Sequence, residues 1–296
     1  MTRTDFSAAF DQIAQRAAVN QVRRKDDFER DGILYCGSCG TPKQAWTDWP
    51  TDEQGNVKRG LFPVMCHCEQ ERYEREKEQR RREKFEISLA ANRKIIGSDE
   101  RSLSGQNFNT DDSPTSPISV TARRYVEHWD EMRQDDIGII FFGSKGTGKS
   151  FYAASIVNAL TEKGVMTGFT SMPSLMNLMQ GTWDKSEILD AICRFQFLVL
   201  DDLGAERATS YSAETAYNII NARYEARKPT VVTTNIALAD MQRETDPWYS
   251  RIYDRLSEMC PIRLKMTGES RRNKIYEERR DKARAILSVK MEGDGF

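Results

Sequence analysis

Short apolar runs and amphipathic segments alternate along the chain from about residue 120 onward. The apolar runs predict buried strands, and segments whose apolar residues recur every three or four positions predict helices. The predicted strands are residues 137–142, 165–170, 197–200, 230–233 and 262–265. Because strands that alternate with helices form parallel sheets covered by helices, this pattern predicts an α/β fold.

The first 119 residues follow other patterns. Apolar residues at helical spacing predict an amphipathic helix over 5–30, and a turn-rich stretch with cysteines follows at 34–68. Residues 69–96 mix charges of both signs, which predicts a solvated helix that bridges rather than packs. Residues 97–119 are rich in Gly, Ser, Asp and Pro and predict a linker or an extended entry to the next domain. The predicted domains are residues 1–95 and 96–296.

Composition and charge restrict the class of protein. Of the 296 residues, 30% are charged and 39% are apolar, and the formal net charge is −1. Because the chain is not a bulk polycation, nucleic-acid binding would need a local basic surface. No apolar run opens the chain or reaches the roughly 18 to 20 residues that span a bilayer, so we expect a cytoplasmic protein without membrane contact. In that compartment the six cysteines favour metal binding over disulfides.

A phosphate-binding loop follows the first predicted strand of the larger domain. The motif G-x-x-x-x-G-K-[ST] is matched by Gly143, Ser144, Lys145, Gly146, Thr147, Gly148, Lys149 and Ser150. Glycines let backbone N–H groups converge on phosphates, and the N-terminus of the following helix adds partial positive charge. We expect Lys149 to reach the β- and γ-phosphates of ATP and the Ser150 hydroxyl to bind Mg²⁺.

Polar residues end two of the other predicted strands. Asp201 and Asp202 follow the apolar run at 197–200. We expect Asp201 to hold the magnesium ion, partly through water, and Asp202 to polarise the attacking water, which favours hydrolysis over nucleotide storage. Asn235 ends the strand at 230–233 and could position water or sense the γ-phosphate, although asparagine also simply ends strands.

Two pairs of arginines follow. Arg251 and Arg255 lie four apart on one predicted helix face, where an arginine at a subunit edge could reach a neighbour's nucleotide, or the pair could form a solvated basic face. Arg271 and Arg272 begin the last predicted helix. Because a cation is unfavourable at a helix N-terminus, an anionic partner there would explain them.

Four cysteines predict a structural zinc site. Cys36 and Cys39 form a C-x-x-C pair, and Cys66 and Cys68 flank His67. Two such pairs can close a tetrahedral site, with His67 as an alternative fourth ligand because C-x-C is tighter than the usual pair. The remaining cysteines, Cys193 and Cys260, lie in apolar segments and are expected in the core.

The order of these motifs resembles that of AAA+ ATPases. The segments LVLDDLGAE, VVTTN, SRIYDRL and TGESRRN together resemble the replicative helicase loaders of the DnaC/DnaI type and their relative, the transposition helper IstB, over about residues 100–280. The resemblance implies an AAA+ P-loop ATPase domain preceded by a small helical and zinc-binding N-terminal domain. It gives Asn235 the role of sensor 1, Arg255 that of the arginine finger acting in trans with Arg251 as its companion, and Arg272 that of sensor 2, with Arg271 as the alternative.

The resemblance also implies binding partners, and at one position this chain differs from most AAA+ proteins. Loaders carry an N-terminal module that docks on the helicase, so we expect residues 1–95 to be the partner-binding arm. An insertion that contacts single-stranded DNA in loaders matches the segment around Trp183 and Lys185, a pair suited to base stacking beside a phosphate contact, with Tyr211 as a weaker candidate. Most AAA+ proteins have Asp-Glu where this chain has Asp201-Asp202, so we expect slow turnover suited to a switch.

These observations predict an ATP-dependent loader of a replicative, DnaB-type hexameric helicase onto single-stranded DNA, which self-assembles through its arginine finger and uses ATP, Mg²⁺ and Zn²⁺. An IstB-like transposition helper is a close alternative, although that branch usually lacks a zinc module. A small-molecule P-loop kinase would leave Arg255, Arg272 and the cysteines without a role. A zinc adaptor with a purely structural ATP site is the third alternative, which measured hydrolysis would exclude.

Overall fold

The computed structural model describes residues 23–50, 57–98, 103–205, 210–268 and 270–287. The chain forms two compact units, one N-terminal to residue 85 and one from Phe85 onward. The division falls within helix α1, His67–Ile95. The boundary predicted after residue 95 coincides with the end of this helix, and the contacts divide the chain earlier because Phe85 and Leu89 pack into the core of the second unit.

The N-terminal unit contains two antiparallel hairpins besides the first part of α1. Strand β1, Phe28–Arg30, pairs with β2, Ile33–Tyr35, and β3, Gln44–Pro50, pairs with β4, Val57–Pro63. The predicted helix over 5–30 is therefore wrong for residues 28–30, and residues 1–22 lie outside the described part of the chain.

Asp27 explains why the chain turns before β1. Its buried carboxylate accepts from the ammonium of Lys43 at 2.8 Å and from the backbone N–H of Arg24 at 2.8 Å. The Lys43 hydrogen bond is the main reason that the pKa of Asp27 is lowered to about 2. These bonds hold the segment against β2 and β3, which a continuing helix would prevent.

The second unit is built on a five-stranded parallel sheet with helices on both faces, which confirms the predicted α/β class. Its strands are β5 (Ile139–Gly143), β6 (Thr167–Ser171), β7 (Phe197–Leu203), β8 (Thr230–Thr234) and β9 (Ile262–Met266). All five predicted strands are present, each extending to a slightly later residue than predicted. The spatial order is β6-β7-β8-β5-β9, so β8 separates the strand that leads into the phosphate loop from the strand that carries the two aspartates.

Helices connect the strands and enclose two cores. They are α2 (Pro117–Glu127), α3 (Trp129–Gln134), α4 (Lys149–Glu162), α5 (Met172–Gly181), α6 (Lys185–Arg194), α7 (Ser210–Glu225), α8 (Leu238–Gln242), α9 (Pro247–Met259) and α10 (Arg271–Leu287). One core lies between the sheet and α5, α6, α7 and α9, and the other between the sheet and α2 and α4. The sheet is thus buried on both faces, as the apolar runs require.

The segment 103–116 is not a free linker, one of the two alternatives predicted for 97–119; it packs against the second unit, the other alternative being an extended entry to that domain. Leu103 is buried, and a 3-10 turn forms at Phe108–Thr110. The Asn158 amide on α4 donates to the carbonyls of Leu103 at 2.8 Å and Gln106 at 2.6 Å. Side chains of the second unit therefore hold in place a segment whose composition is typical of a loop.

Arg223 on α7 provides a test of the core. Its fully buried guanidinium donates to the carbonyls of Ile192 at 2.9 Å, Phe195 at 2.8 Å and Pro229 at 2.8 Å. Arg223→Ala would leave these acceptors unsatisfied and open a cavity, so we expect it to lower the free energy of unfolding by about 3 kcal/mol or more. Urea unfolding measures the change. Arg243→Ala removes an exposed arginine and should stay within about 0.5 kcal/mol of the unaltered protein; an equal effect of both substitutions would contradict the prediction.

Candidate nucleotide site and metal centre

The predicted phosphate loop connects the end of β5 to the start of α4. Three of its residues, Gly143, Gly146 and Gly148, have positive φ values of 135°, 81° and 97°. A Cβ atom at Gly143 would lie 2.2 Å from the carbonyl oxygen of Met266, so side chains are excluded there. The loop ends at the N-terminus of a 14-residue helix, whose free N–H groups favour an anion.

Lys149 links this loop to the tip of β8. Its buried ammonium donates to the carbonyls of Gly143 at 2.9 Å and Ser144 at 2.8 Å and to the Asn235 amide oxygen at 2.8 Å. The predicted phosphate-binding lysine and the predicted sensor asparagine are therefore in direct contact, because β8 lies beside β5 in the sheet.

Asp201 lies opposite Ser150. The Ser150 hydroxyl is 2.9 and 3.0 Å from the two carboxylate oxygens of Asp201, which is buried. Burial raises the pKa of Asp201, and the hydrogen bond from Thr233 opposes this shift. A hydroxyl beside a carboxylate at the phosphate loop is the oxygen donor set that magnesium takes in P-loop sites. The two predicted magnesium ligands therefore fit the ion.

Asp202 has an unusual backbone. Its φ is +56°, a left-handed conformation that is uncommon for residues other than glycine. The pairing of β7 with β8 shifts between Leu200 and Leu203, and the N–H of Asp202 donates to the Thr233 hydroxyl at 2.9 Å instead. Sequence analysis missed Thr233; the available signal was a polar residue inside an otherwise buried central strand.

Of the two arginines at the start of α10, Arg271 lies beside the phosphate loop. Its N–H donates to the Gly146 carbonyl at 2.9 Å, and its guanidinium carbon is 3.3 Å from where a Cβ atom of Gly148 would lie. The guanidinium also donates to Asp112 at 2.7 Å. The predicted Arg272 begins the same helix, but its side chain lies outside the described part of the structure.

The second arginine pair lies on α9. The Arg255 guanidinium is over the rings of Tyr217 and Tyr224 on α7, at 4.5 and 5.5 Å from their centroids. Its Nε is buried and has no hydrogen-bond partner among the described residues. Arg251 is exposed and lies 5.7 Å from the Trp248 ring.

Of the residues predicted to contact DNA, Trp183 lies between α5 and α6, Lys185 begins α6, and Tyr211 lies in α7. Trp183 is fully exposed, so it is not a core anchor. The Lys185 ammonium donates to the Tyr211 hydroxyl at 3.1 Å and lies over that ring. The structure thus places Lys185 and Tyr211 together, and the exposed Trp183 lies two residues before Lys185 in the sequence.

The four predicted zinc ligands form one cluster. The Sγ atoms of Cys36, Cys39, Cys66 and Cys68 all lie within 4.8 Å of one another, with Cys68 3.6 Å from Cys36 and 3.4 Å from Cys66. Tetrahedral zinc–sulfur bonds separate sulfurs by about 3.8 Å, so the cluster fits a Cys₄ zinc site. His67 is exposed and lies 3.6 Å from Glu71 instead, so the cluster consists of the four cysteines without His67.

None of the helices in the described ranges combines the length and the apolar character that a membrane span requires.

Comparisons with known proteins follow the same pattern. Residues 73–279 match the family described as IstB-like ATP binding protein. DnaC, the replicative helicase loader of Escherichia coli K12, is 26% identical over 170 residues, or 56% of this chain and 67% of DnaC. YqaM of Bacillus subtilis is 28% identical over 248 residues, or 79% of this chain and 70% of YqaM. The resemblance to DnaC-type loaders indicated by the motifs is thereby confirmed.

Solved structures of related proteins are also similar. The crystal structure of the DnaC helicase loader is 25% identical with a TM-score of 0.48 and covers 56% of this chain and 98% of that one. The crystal structure of DnaI is 23% identical with a TM-score of 0.49 and covers 58% and 93%. Because the family match spans well over half of the sequence, this protein belongs to the IstB-like ATP-binding protein family.

Proposed function

We propose that this protein is an ATP-hydrolysing loader of a replicative, DnaB-type helicase onto single-stranded DNA. The observation that carries the proposal is the similarity to DnaC over the ATPase unit, in which Lys149, Ser150, Asp201 and Asn235 meet at one edge of the sheet. ATP binding assembles the loader with its helicase, and hydrolysis releases it.

Each residue of the nucleotide site has its own role in hydrolysis. Lys149 and the N–H groups of the loop hold the β- and γ-phosphates, and Arg271 or Arg272 adds a cation from α10. Ser150 and Asp201 would hold magnesium, which when bound would neutralise charge on the transferred phosphoryl group. Asp202 orients the attacking water. Asn235, which accepts a hydrogen bond from Lys149, fixes the position of this water relative to Lys149.

Arg255 completes the site of a neighbouring subunit. Two aromatic faces hold its guanidinium while its Nε has no partner among the described residues. Cation–π contacts restrict the side chain without neutralising its charge. A guanidinium held in this way can reach phosphate on a second copy, so hydrolysis depends on assembly.

The zinc unit binds the helicase. Its hairpins and the segment before α1 expose apolar side chains, including Phe28, Trp46, Val64 and Met65. A small unit that exposes this many large apolar groups is typical of a protein-binding surface rather than of a solvated spacer. The family match begins at residue 73, after the cysteines, so the cysteine-bearing unit lies outside the segment that the family shares.

Trp183 gives the DNA contact a direct test. Because its side chain is fully exposed, Trp183→Ala removes little packing and should leave stability unchanged. Loss of one base stack costs about 1–3 kcal/mol, so we expect the affinity for an oligothymidine to fall about 5- to 150-fold. Fluorescence anisotropy with a labelled oligonucleotide measures the change.

Trp46→Ala, which removes an exposed tryptophan from the zinc unit, is the matched control and should keep full DNA affinity. An unchanged affinity of Trp183→Ala would remove this residue from the DNA surface.

Helicase delivery tests the whole proposal. The purified protein is mixed with candidate hexameric replicative helicases, with and without ATP, and loading onto single-stranded DNA coated with single-strand binding protein is followed by unwinding of a downstream duplex. We expect an ATP-dependent complex and unwinding that requires this protein. Binding to a transposase with no binding to a helicase would instead support the IstB-like helper role suggested by the family match.

A further inference from the structure

We infer that Thr233 is a positioning residue of the ATPase site, whose hydroxyl holds both acids at the end of β7 in register with the phosphate loop. The inference deepens the proposed ATP hydrolysis and rests on it. Thr233 lies on β8, the strand between the loop and the two acids.

The Thr233 hydroxyl has a fixed orientation. It donates to Asp201 Oδ1 at 2.5 Å and accepts the backbone N–H of Asp202 at 2.9 Å, and the residue is fully buried. A hydroxyl carries one proton and two lone pairs. Because its proton points to the carboxylate, its lone pairs face the amide, and both bonds form at once without water.

This second bond stabilises a strained backbone. At Asp202 the chain adopts φ = +56°, and regular pairing of β7 with β8 resumes only at Leu203, opposite Thr234. Aspartate adopts this conformation more readily than most non-glycine residues, but the conformation still costs energy, which hydrogen bonds from the surroundings can offset. The Thr233 oxygen takes the N–H that the sheet ladder leaves unpaired, so it stabilises the turn that presents the second acid.

The first bond orients the metal ligand. Asp201 receives the Ser150 hydroxyl from the phosphate-loop helix and the Thr233 hydroxyl from β8. Partners of this kind fix the orientation of a ligating carboxylate, and their removal typically lowers metal affinity or activity about 10- to 100-fold. Thr233 therefore fixes the orientation of the Asp201 carboxylate toward the magnesium site and the position of Asp202 toward the attacking water.

Three variants separate this role from general stability. Thr233→Val keeps the shape and removes the hydroxyl, and Thr233→Ser restores it. Thr170→Val is the matched control, because Thr170 is also fully buried and its hydroxyl donates to a main-chain carbonyl, that of Ile96, at 2.9 Å. Mn²⁺ binding is measured by electron paramagnetic resonance with a non-hydrolysable ATP analogue, and ATP turnover is measured against Mg²⁺ concentration.

We expect Thr233→Val to weaken Mn²⁺ binding about tenfold or more and to shift the Mg²⁺ dependence of turnover by a similar factor. Thr233→Ser should restore both values, and Thr170→Val should change neither despite a lower stability. If the unaltered protein binds Mn²⁺ with the analogue but Thr233→Val behaves like Thr170→Val, the role of Thr233 is overturned and the ATP site stands. If the unaltered protein binds no metal–nucleotide complex, the proposed ATPase itself fails.

Discussion

Replacing Arg255 by alanine is expected to lower the ATP turnover of the assembled protein by about a thousandfold or more, the scale on which an arginine finger acts. The guanidinium lies on the Tyr217 and Tyr224 rings, apart from the phosphate-loop contacts made by Lys149 and Arg271 in the same chain. We therefore expect a single subunit of Arg255→Ala to bind ATP normally. Turnover is measured with single-stranded DNA and helicase present, and nucleotide binding is measured with a fluorescent ATP analogue.

Mixing two inactive variants tests whether the arginine acts in trans. Lys149→Ala subunits lack a functional loop but keep Arg255, whereas Arg255→Ala subunits keep the loop. If each site is completed by its neighbour, the mixture should recover part of the turnover that neither variant has alone. Arg251→Ala serves as the comparison, since Arg251 is exposed on the same helix. Full turnover by Arg255→Ala, or no recovery on mixing, would remove this residue from the reaction.

The sequence predicted the site well where chemistry is local or follows strand order. The phosphate loop is a continuous motif, and its glycines have the positive φ values that the motif requires. The contact of Lys149 with Asn235 joins residues distant in sequence, and it forms because the carboxyl ends of parallel strands meet at one edge of a sheet. The sequence had predicted a role at the γ-phosphate for both residues, but not their direct contact.

The sequence failed where tertiary contacts decide the outcome. Composition left open whether 97–119 is a linker or an extended entry to the next domain, and the bond from the Asn158 side chain that holds part of it against α4 could not be read from the composition. The spacing of apolar residues predicted a helix that continues to residue 30. In the structure, residues 28–30 form a strand, and the hydrogen bond between Asp27 and Lys43 favours this hairpin. Thr233 matched the pattern of a β-branched strand residue, and its role depends on a register shift in the neighbouring strand that no local pattern encodes.

The four-cysteine cluster shows how backbone geometry separates His67 from the cysteines on either side of it. Cys66 precedes α1, and His67 and Cys68 occupy its first positions. Successive residues at a helix start point about 100° apart. This spacing turns His67 away from Cys68 and leaves it 3.6 Å from Glu71 on the next turn. Cys66 lies before the helix and does not follow the helical spacing, so its sulfur lies 3.4 Å from that of Cys68.

Removal of zinc is expected to unfold the N-terminal unit and leave the ATPase unit folded. In the described part of the N-terminal unit the buried apolar residues are Leu34, Cys36 and Cys66, too few for a stable core, whereas the ATPase unit has two cores of its own. Zinc binding at such sites contributes about 10–16 kcal/mol, which replaces the missing hydrophobic burial.

Chelation and Cys36→Ser should therefore give the same result. Hydrogen exchange of residues 23–50 and 57–68 should become fast, helicase binding should be lost, and binding of a fluorescent ATP analogue should persist. Cys193→Ser is the control, because Cys193 lies in the ATPase unit, packed against the core there. If hydrogen-exchange protection of the N-terminal unit survives complete removal of the metal, that unit folds through its hairpins alone. If ATP binding is lost together with the fold of the N-terminal unit, the two units unfold as one, because the cores of the second unit then do not hold the phosphate loop by themselves.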